Sequence, residues 1–294
     1  MNKKLTIVYN SYVNEMKKNN QIGLLMSAAK ILKIKLFLIP SESIKSLINQ
    51  KKLNLPSKKI LFLEKNIALA QLLESNRYKL YNNSNSIYIS DNKALTHVAL
   101  SKLKIKQPKT LIGPLTFNLK NAKRNLNFQK IIKTNFKFPL IVKEVFGSFG
   151  QQVFLVKNLN DLNKLLNDLG GKQIIIQEFL NFYLGKSIRV LVVNKKIVGV
   201  MQQENKNDFR SNLSQNGIGT IIPKLKSKEK EVINRIITKL NLFYSGIDFL
   251  LDEKRDFIFC EANSNPQLTN ISNIFQKNFG IDLLKEIMVD CKYG

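Results

Sequence analysis

Two apolar segments near the end of the chain restrict its possible folds most strongly, because each carries an acidic residue in its interior. Residues 246–252 read Gly-Ile-Asp-Phe-Leu-Leu-Asp, and residues 257–266 read Phe-Ile-Phe-Cys-Glu-Ala-Asn-Ser-Asn-Pro. Both have the composition of a β-strand, and the short polar stretch between them is typical of a tight turn. The sequence therefore predicts a β-hairpin.

The predicted hairpin brings three oxygen-bearing side chains together. Side chains alternate along a strand, so Glu261 and Asn263 share one face, and the short turn sets Asp248 opposite Glu261. Carboxylates are seldom buried unless they are paired or bind a metal, and hard oxygen ligands suit Mg²⁺, which bridges to substrate phosphates. A hairpin whose acids face solvent is the alternative, but both acids stand inside apolar runs. We therefore expect a magnesium–nucleotide site.

Strands and helices alternate over the first part of the chain. Candidate strands at residues 5–9, 34–39 and 59–63 are separated by candidate helices, one of them at residues 21–32. Alternation of this kind predicts a parallel α/β sheet, and we assign this lobe to residues 1–90.

Two further lobes are expected, at residues 91–172 and 173–294. The second contains a strand, a glycine loop and a strand within residues 138–156. The third begins with an apolar strand at residues 174–180 and ends with the hairpin and a closing helix. The expected class is α/β with α+β lobes, and a chain of 294 residues with 44% hydrophobic composition can build a core of this size.

The glycine loop is a candidate phosphate-binding flap. Gly147-Ser148-Phe149-Gly150 joins two predicted strands, and glycine lets backbone amides approach an anion closely. Lys143 stands in the apolar strand before the loop, where its charge would reach the same anion. The segment is not a P-loop, because no Gly-Lys-Ser/Thr follows, and it is not a dinucleotide fingerprint, because it joins a strand to a strand.

Three more segments carry polar residues that suit a nucleotide site. Residues 177–180, Gln-Glu-Phe-Leu, are typical of a hinge that hydrogen-bonds a planar base, although a plain strand end has the same composition. Arg189 lies within an apolar strand and needs a phosphate or carboxylate partner. Arg210 and Asn212, in the polar loop 208–212, suit a substrate carboxylate or a transferred phosphoryl group, with a solvated loop as the alternative.

The net charge of +26 is spread along the chain rather than concentrated. Six of the 47 basic residues are arginines, and the lysines are mixed with many asparagines in every segment. A general bias toward lysine and asparagine explains this distribution better than a binding stripe, although a positive field would attract acidic partners such as ribosomes and RNA. We expect a reduced, cytoplasmic protein, because the chain has two cysteines, a short apolar run at the start and no run long enough to span a membrane.

The order and spacing of these segments resemble the ATP-grasp superfamily, and in particular the RimK-like α-L-glutamate ligases. The resemblance covers nearly the whole chain and rests on the combination of segments rather than on any single one. In chain order they are Asp91-Asn-Lys93, Val142-Lys143, Gly147 to Gly150, Gln177 to Leu180, Ile188-Arg189-Val190, Asp208 to Asn212, Gly246-Ile-Asp248 and Glu261-Ala-Asn263-Ser-Asn-Pro266.

The resemblance implies a fold, a reaction and a set of site residues. The fold is an ATP-grasp fold behind an N-terminal parallel α/β domain, with ATP held between two lobes. The reaction joins a carboxylate to an amine through an acyl phosphate, using ATP and two Mg²⁺ ions, with Mn²⁺ as a possible substitute. The implied metal ligands are Asp248, Glu261 and Asn263, the implied catalytic residues are Arg189, Arg210 and Asn212, and the implied nucleotide contacts are Lys93, Lys143, Gly147, Ser148, Gly150, Gln177, Glu178, Phe179, Ser187 and Ser211.

Three positions depart from the family's pattern. The family usually has an acid at Ser187, an arginine at Gln203 and a glycine at Gln152. Losing one charge-assisted contact at a buried site costs about two to three orders of magnitude in rate. The departures leave open an altered substrate or a nucleotide-binding module without turnover, whereas the intact metal ligands and lysines favour an active enzyme.

The resemblance favours addition of glutamate to the C-terminus of an acceptor protein, and a small-subunit ribosomal protein is the family's best-known acceptor. A small-molecule acceptor, such as an amino-acid precursor or a cofactor tail, is the alternative. A general nucleic-acid binder is less favoured, because no aromatic–basic recognition motif is present. We expect no membrane partner and no sequence-specific nucleic-acid partner, and a homo-oligomer is compatible with the family.

Two residues near these segments are expected to have no part in the chemistry. His97, in a helix predicted over residues 92–103, is assigned a capping or surface role, because the reaction requires no histidine. Cys260 is adjacent to Glu261, so strand alternation predicts that its thiol points to the opposite face and packs in the core.

Overall fold

The computed structural model describes residues 3–12, 15–48, 53–117, 126–147, 150–211 and 217–290, which form three β-sheets and the helices around them. The mixed α/β class predicted from the sequence is confirmed. Within these ranges no helix is both long enough and apolar enough to cross a membrane.

The first sheet lies in the N-terminal lobe and is parallel throughout, as the alternation of strands and helices predicts. The elements of this lobe are β1 (Lys4–Tyr9), α1 (Glu15–Leu32), β2 (Lys35–Pro40), a 3₁₀ turn (Ser41–Ser43), β3 (Lys59–Leu63), α2 (Ile67–Ser75) and β4 (Lys79–Tyr81). The strand order is β2-β1-β3-β4. Two helices, α3 (Ser84–Asp91) and α4 (Lys93–Leu100), lead out of the lobe.

The second sheet is antiparallel and has the strand order β5-β8-β6-β7. The elements of this lobe are β5 (Thr110–Ile112), α5 (Leu126–Asn135), β6 (Leu140–Glu144), β7 (Val153–Val156), α6 (Leu159–Leu169) and β8 (Ile174–Glu178). The prediction that the strand at residues 174–180 opens the third lobe is wrong, because β8 pairs with β5 and β6. Its apolar sequence suits either sheet, and only the pairing partners distinguish them. We propose that the lobe boundary lies after Glu178.

The third sheet is also antiparallel and has the order β11-β10-β9-β12-β13. The elements of this lobe are β9 (Lys186–Val193), β10 (Lys196–Glu204), β11 (Ile218–Ile221), α7 (Ser227–Leu240), β12 (Tyr244–Leu251), β13 (Phe257–Asn263), α8 (Leu268–Phe275) and α9 (Phe279–Val289). The predicted hairpin is confirmed as β12 and β13.

One face of the third sheet is apolar at one end of β9 and polar at the other. Leu191 and Val193 are fully buried in an apolar cluster that includes Leu5 of the N-terminal lobe. Ser187 and Arg189 alternate onto the same face but lie outside that cluster. The N-terminal lobe therefore covers the apolar end of this face, and the polar end faces the second sheet.

Asn82 joins the N-terminal lobe to the hairpin through four hydrogen bonds. Its Nδ2 donates to the carbonyl oxygens of Tyr244 and Ser264, at 2.7 Å each. Its Oδ1 accepts from the backbone N–H groups of Phe243, at 2.6 Å, and Tyr244, at 3.2 Å. The side chain is 1% exposed, so these hydrogen bonds are shielded from solvent. Asn82 therefore positions both strands that carry the predicted metal ligands.

Replacing Asn82 with Ala should lower the free energy of unfolding by about 3–5 kcal/mol, because several buried backbone groups lose their partners at once. The neighbouring Asn83, which is half-buried and caps α3, is a matched control. Its replacement with Ala should cost about 1 kcal/mol. Urea unfolding of both variants measures the difference, and equal losses would contradict the bridging role of Asn82.

Candidate functional site

A cavity of about 1000 Å³, including space open to solvent, lies between the second and third sheets. Most of the site residues predicted from the sequence line this cavity. They are Lys93, Lys143, Gly147, Gly150, Gln177, Glu178, Phe179, Ser187, Arg210, Ser211, Asp248 and Glu261. Segments that are far apart in the chain thus converge on one space, which we take as the candidate active site.

The other predicted residues do not line the cavity or are not described. Arg189 and Asn263 are absent from the described lining, although Arg189 contacts Asp248 and Asn263 follows Glu261 by two positions on β13. Ser148 and Asn212 lie outside the described residues. The roles of all these residues stay predictions.

The two carboxylates meet across the hairpin. Asp248 on β12 is opposite Glu261 on β13, which confirms the register predicted from the short turn. Both residues line the cavity, and Asp248 is only 6% exposed. A buried carboxylate beside a half-buried one requires cations or a metal ion to compensate the two negative charges.

A β-bulge follows the acidic pair. Phe249 pairs with Phe259, so Cys260 is an extra residue on β13. The prediction that Cys260 points into the core is wrong, because the bulge breaks the strict alternation of side chains. The thiol lines the cavity together with Glu261, and its Sγ lies 3.8 Å from Lys143 Nζ.

Arg189 forms a bidentate ion pair with Asp248. Its Nε donates to Oδ1 at 2.8 Å and its Nη2 donates to Oδ2 at 2.6 Å. This contact supplies the carboxylate partner that an arginine inside an apolar strand requires. Burial raises the pKa of Asp248 and repulsion from Glu261 adds to the rise, while Arg189 opposes it. A cation at Asp248 would therefore share the carboxylate with Arg189 or displace it.

Lys93 and Lys143 bring positive charge to Glu261. Lys93 begins α4 and Lys143 lies in β6, and both side chains are buried. Burial by itself raises the pKa of Glu261, but Lys93, Lys143 and Arg189 outweigh it and hold that pKa below its usual value. Burial also lowers the pKa of Lys93, and Glu261 opposes this change. The centre of the cavity is thus a buried ionic cluster in which Glu261 is held ionised.

The glycine segment is tied to the rest of the site at both of its described ends. Lys93 Nζ donates to the Gly147 carbonyl at 3.2 Å, and Arg210 Nη1 donates to the Gly150 carbonyl at 2.8 Å. Gly150 has φ of +72°, a conformation that favours glycine. A Cβ atom at Gly147 would lie 2.6 Å from Oε1 of Gln152, so Gln152 packs directly against the segment. These contacts hold Gly147 and Gly150 at the wall of the cavity.

The opposite end of the cavity is largely apolar. The rings of Phe179 and Phe209 meet edge to face, with centroids 6.2 Å apart. The Glu178 carboxylate accepts a hydrogen bond from the backbone N–H of Lys109 at 2.7 Å, which fixes the end of β8. An apolar slot beside a strand end suits a planar base. The assignment of this end to adenine remains a prediction.

His97 is buried rather than capping a helix or lying on the surface. Its Nδ1 contacts Oε1 of Gln107 at 2.6 Å, and its Nε2 contacts Nε2 of Gln177 at 3.0 Å. The ring also packs edge to face on Phe259. The predicted capping or surface role was wrong, because the side of α4 that carries His97 faces the second sheet. His97 holds Gln177, a residue of the cavity wall.

The donor set fits a magnesium site that a phosphate completes. Among the described residues, no three His, Cys, Asp or Glu side chains gather into a metal-binding group. The hairpin supplies two carboxylates and one amide, Asn263. Mg²⁺ usually binds one or two carboxylates and takes its other ligands from water and phosphates. The arrangement therefore suits an ion that arrives with a nucleotide.

The sequence matches the family model of the RimK-like ATP-grasp domain over residues 90–289. An uncharacterised protein of Mycoplasma pneumoniae is 42% identical over 288 residues, which cover 97% of this chain and 99% of that protein. A probable alpha-L-glutamate ligase of Coxiella burnetii is 33% identical over 52% of each chain. The coenzyme gamma-F420-2:alpha-L-glutamate ligase of Methanocaldococcus jannaschii is 29% identical over 66% of this chain and 65% of that one.

Solved structures share the fold at low sequence identity. The D-alanine–D-alanine ligase of Bacillus anthracis in complex with ATP superposes with a TM-score of 0.74 at 15% identity, covering 98% of this chain and 96% of the ligase. The ATP-grasp ligase PsnB, in complex with a phosphomimetic variant of its minimal precursor, Mg and ADP, superposes with a TM-score of 0.71 at 12% identity over 98% of each chain. The ATP-grasp fold is thereby confirmed.

Replacing His97 with Gln should remove a pH-dependent part of the stability. Burial lowers the pKa of His97 from 6.5 to about 4, so the folded protein resists a proton that the unfolded chain accepts. The contribution of His97 is therefore complete above pH 6.5 and is lost as the pH falls toward 4. Relative to the variant, the wild-type protein should lose on the order of 3 kcal/mol of unfolding free energy over this interval. Urea unfolding at several pH values tests this, and a pH-independent difference would contradict the buried neutral imidazole.

Proposed function

Because the chain belongs to the RimK-like ATP-grasp family and is a ligase enzyme, we propose that it joins a carboxylate to an amine with consumption of ATP. One observation carries the proposal, namely the buried cluster in which Lys93 and Lys143 face the acidic pair Asp248 and Glu261 across a cavity between two sheets. A cluster of this kind fits the phosphates of a nucleotide and the cations that accompany them.

Asp248, Glu261 and Asn263 would hold the magnesium. We propose two ions, which Glu261 would help to hold, and Mn²⁺ could take the place of Mg²⁺. Bound there, the ions would neutralise charge on the transferred phosphoryl group. Lys93, Lys143 and Arg189 keep Glu261 ionised and therefore able to coordinate.

The proposed reaction has two steps. An oxygen of the substrate carboxylate attacks the γ-phosphorus of ATP, the bond to the bridging oxygen breaks, and ADP leaves. The amine then attacks the carbonyl carbon of the acyl phosphate, and an amide forms as phosphate leaves and the amine loses a proton. The chain contributes by positioning and by positive charge, from Lys93, Lys143 and Arg210, rather than by covalent chemistry. The glycine segment would exclude water from the acyl phosphate.

We propose glutamate as the amine substrate and the C-terminus of a small-subunit ribosomal protein as the acceptor. The similarity to a probable alpha-L-glutamate ligase supports glutamate. The net charge of +26 is compatible with work close to ribosomes in the cytoplasm. A homo-oligomer is compatible with this proposal, which involves no membrane and no sequence-specific nucleic acid.

A small-molecule acceptor is the second candidate. The similarity to the coenzyme gamma-F420-2:alpha-L-glutamate ligase favours it, because that name specifies a coenzyme as the acceptor. A nucleotide-binding module with little turnover is the third, motivated by the uncharged residues Ser187 and Gln203. The acceptor that gains mass separates the first two candidates, and a failure to form ADP with any acceptor identifies the third.

Incubation of purified ribosomal proteins with the enzyme, Mg-ATP and glutamate should produce a ladder of glutamate masses on one small-subunit protein. Intact-mass spectrometry detects the ladder, and ADP should appear in proportion to it. The Asp248→Ala variant, which removes a proposed metal ligand, should produce neither. ADP formation with a small acceptor and unmodified ribosomal proteins would contradict the protein acceptor and support the second candidate.

A further inference from the structure

A groove of about 1200 Å³, including space open to solvent, lies between α7 and the segment that follows α4. One face of α7 forms its floor, where residues recur at intervals of three and four positions, as neighbours on one side of a helix do. The other side of α7, with Ile233 and Ile237, packs into an apolar cluster on the third sheet. The residues that line the groove are Leu103, Ser227, Lys230, Glu231, Asn234, Arg235, Thr238 and Lys239.

Four exposed lysines give this groove a positive charge that the protein does not neutralise. Two lie in the lining and two flank Leu103, and none of them forms an ion pair with an acid of the described residues. Glu231, the acid of the lining, is paired with Arg235. Lysines are spread along the whole sequence, but the fold gathers these four around one groove. They are Lys102, Lys104, Lys230 and Lys239.

The side chains between the lysines suit phosphate groups. Ser227, Asn234 and Thr238 are exposed, and their residue types are among those that hydrogen-bond to the phosphates of nucleic acids. The floor of the groove runs about 18 Å along α7, long enough to meet several phosphates of one strand. Surfaces that bind proteins are instead depleted in lysine and centred on aromatic or large apolar residues. Because Leu103, the apolar residue of the lining, is half-buried, the groove favours a phosphate backbone over an acidic protein.

We propose that this groove binds the phosphate backbone of RNA without reading its sequence. The lysines contact phosphates as point charges, and the polar side chains between them hydrogen-bond to phosphate oxygens. Because no base is read, the contact requires none of the aromatic–basic motifs that the sequence lacks. The choice of RNA rests on the proposed function, which places the acceptor protein on the ribosome, whereas the backbone contact itself does not. The groove would hold the enzyme beside the protein that it modifies.

The groove and the candidate active site lie on opposite faces of the third sheet. Ile188 and Val190 of β9 share an apolar cluster with the buried side of α7. Ser187 and Arg189 alternate onto the other face of the same strand, and Ser187 lines the cavity there. Substitutions on the exposed side of α7 should therefore leave the binding of Mg-ATP unchanged, so that RNA binding and nucleotide binding are measured separately.

The double variant Lys230→Ala, Lys239→Ala tests the groove, because it removes two exposed charges from the floor and leaves the buried side of α7 intact. Fluorescence anisotropy with a labelled oligouridylate measures the affinity for single-stranded RNA. At about 0.1 M salt the variant should bind about 10- to 30-fold more weakly than the wild-type protein. The slope of log affinity against log salt should become shallower by about 1.4, because each lost phosphate contact contributes about 0.7 on a single strand.

The double variant Lys30→Ala, Lys164→Ala is the matched control, because it removes the same charge from exposed positions on α1 and α6, in the other two lobes. Neither lysine lines the groove, so RNA binding should weaken by less than about 2-fold, since salt screens distant charges. Equal losses in the two double variants would assign RNA binding to the diffuse net charge of +26 and overturn the proposal. Thermal unfolding of each variant checks that the fold is retained.

Parallel titrations with a labelled polyglutamate peptide separate RNA from an acidic protein. Weaker RNA binding in the groove variant alone supports the proposal, whether or not peptide binding falls with it. Weaker peptide binding with unchanged RNA binding would overturn it in favour of an acidic protein. A wild-type protein that binds no oligouridylate would overturn the proposal and leave the proposed function intact, whereas one that binds RNA but no Mg-ATP would overturn the proposed function and leave the groove intact.

Discussion

The arrangement of the site depends on the register between β12 and β13. Because the buried Asp248 stands opposite the half-buried Glu261, two carboxylates lie side by side, and the rest of the site has to compensate their charges. Arg189, in the same sheet, compensates the charge of Asp248 through two hydrogen bonds. Lys93 and Lys143, which lie outside this sheet, compensate the charge of Glu261 and hold it ionised. The charge balance of the cavity therefore requires both sheets to be present and correctly packed.

The N-terminal lobe supports this geometry from the other end of the third sheet. Leu191 and Val193 anchor β9 in a core shared with that lobe, and Asn82 hydrogen-bonds to the backbone at the start of β12 and the end of β13. The part of the ionic cluster on β9, β12 and β13 is thus held on strands that are anchored in an apolar core. Rigid support matters because catalysis by positioning loses its advantage when groups are displaced by about 1 Å.

Part of the cavity lining was predictable from local rules, whereas Lys93, Ser187 and Ser211 were named only through the family resemblance. Acids inside apolar strands and a short turn indicate the hairpin without knowledge of the fold, and the role of the glycine loop as a flap stays a prediction. The pairing of β8 with the second sheet was not predictable, because an isoleucine-rich strand fits any buried position. The place of Cys260 depends on one extra residue in the ladder, and the burial of His97 depends on which helix face meets the second sheet. Both are tertiary properties that no local pattern contains.

The most direct test is the magnesium dependence of ATP binding in the wild-type protein and in Glu261→Gln, measured by calorimetry with and without Mg²⁺. The account predicts that Mg²⁺ tightens ATP binding by at least about 10-fold in the wild-type protein and that the variant loses this gain. Asp252→Asn is the control and should keep it, because Asp252 lies at the turn of the same hairpin and pairs with Lys106 outside the cavity. An equal gain in Glu261→Gln would contradict the assignment of the acidic pair Asp248 and Glu261 to the metal.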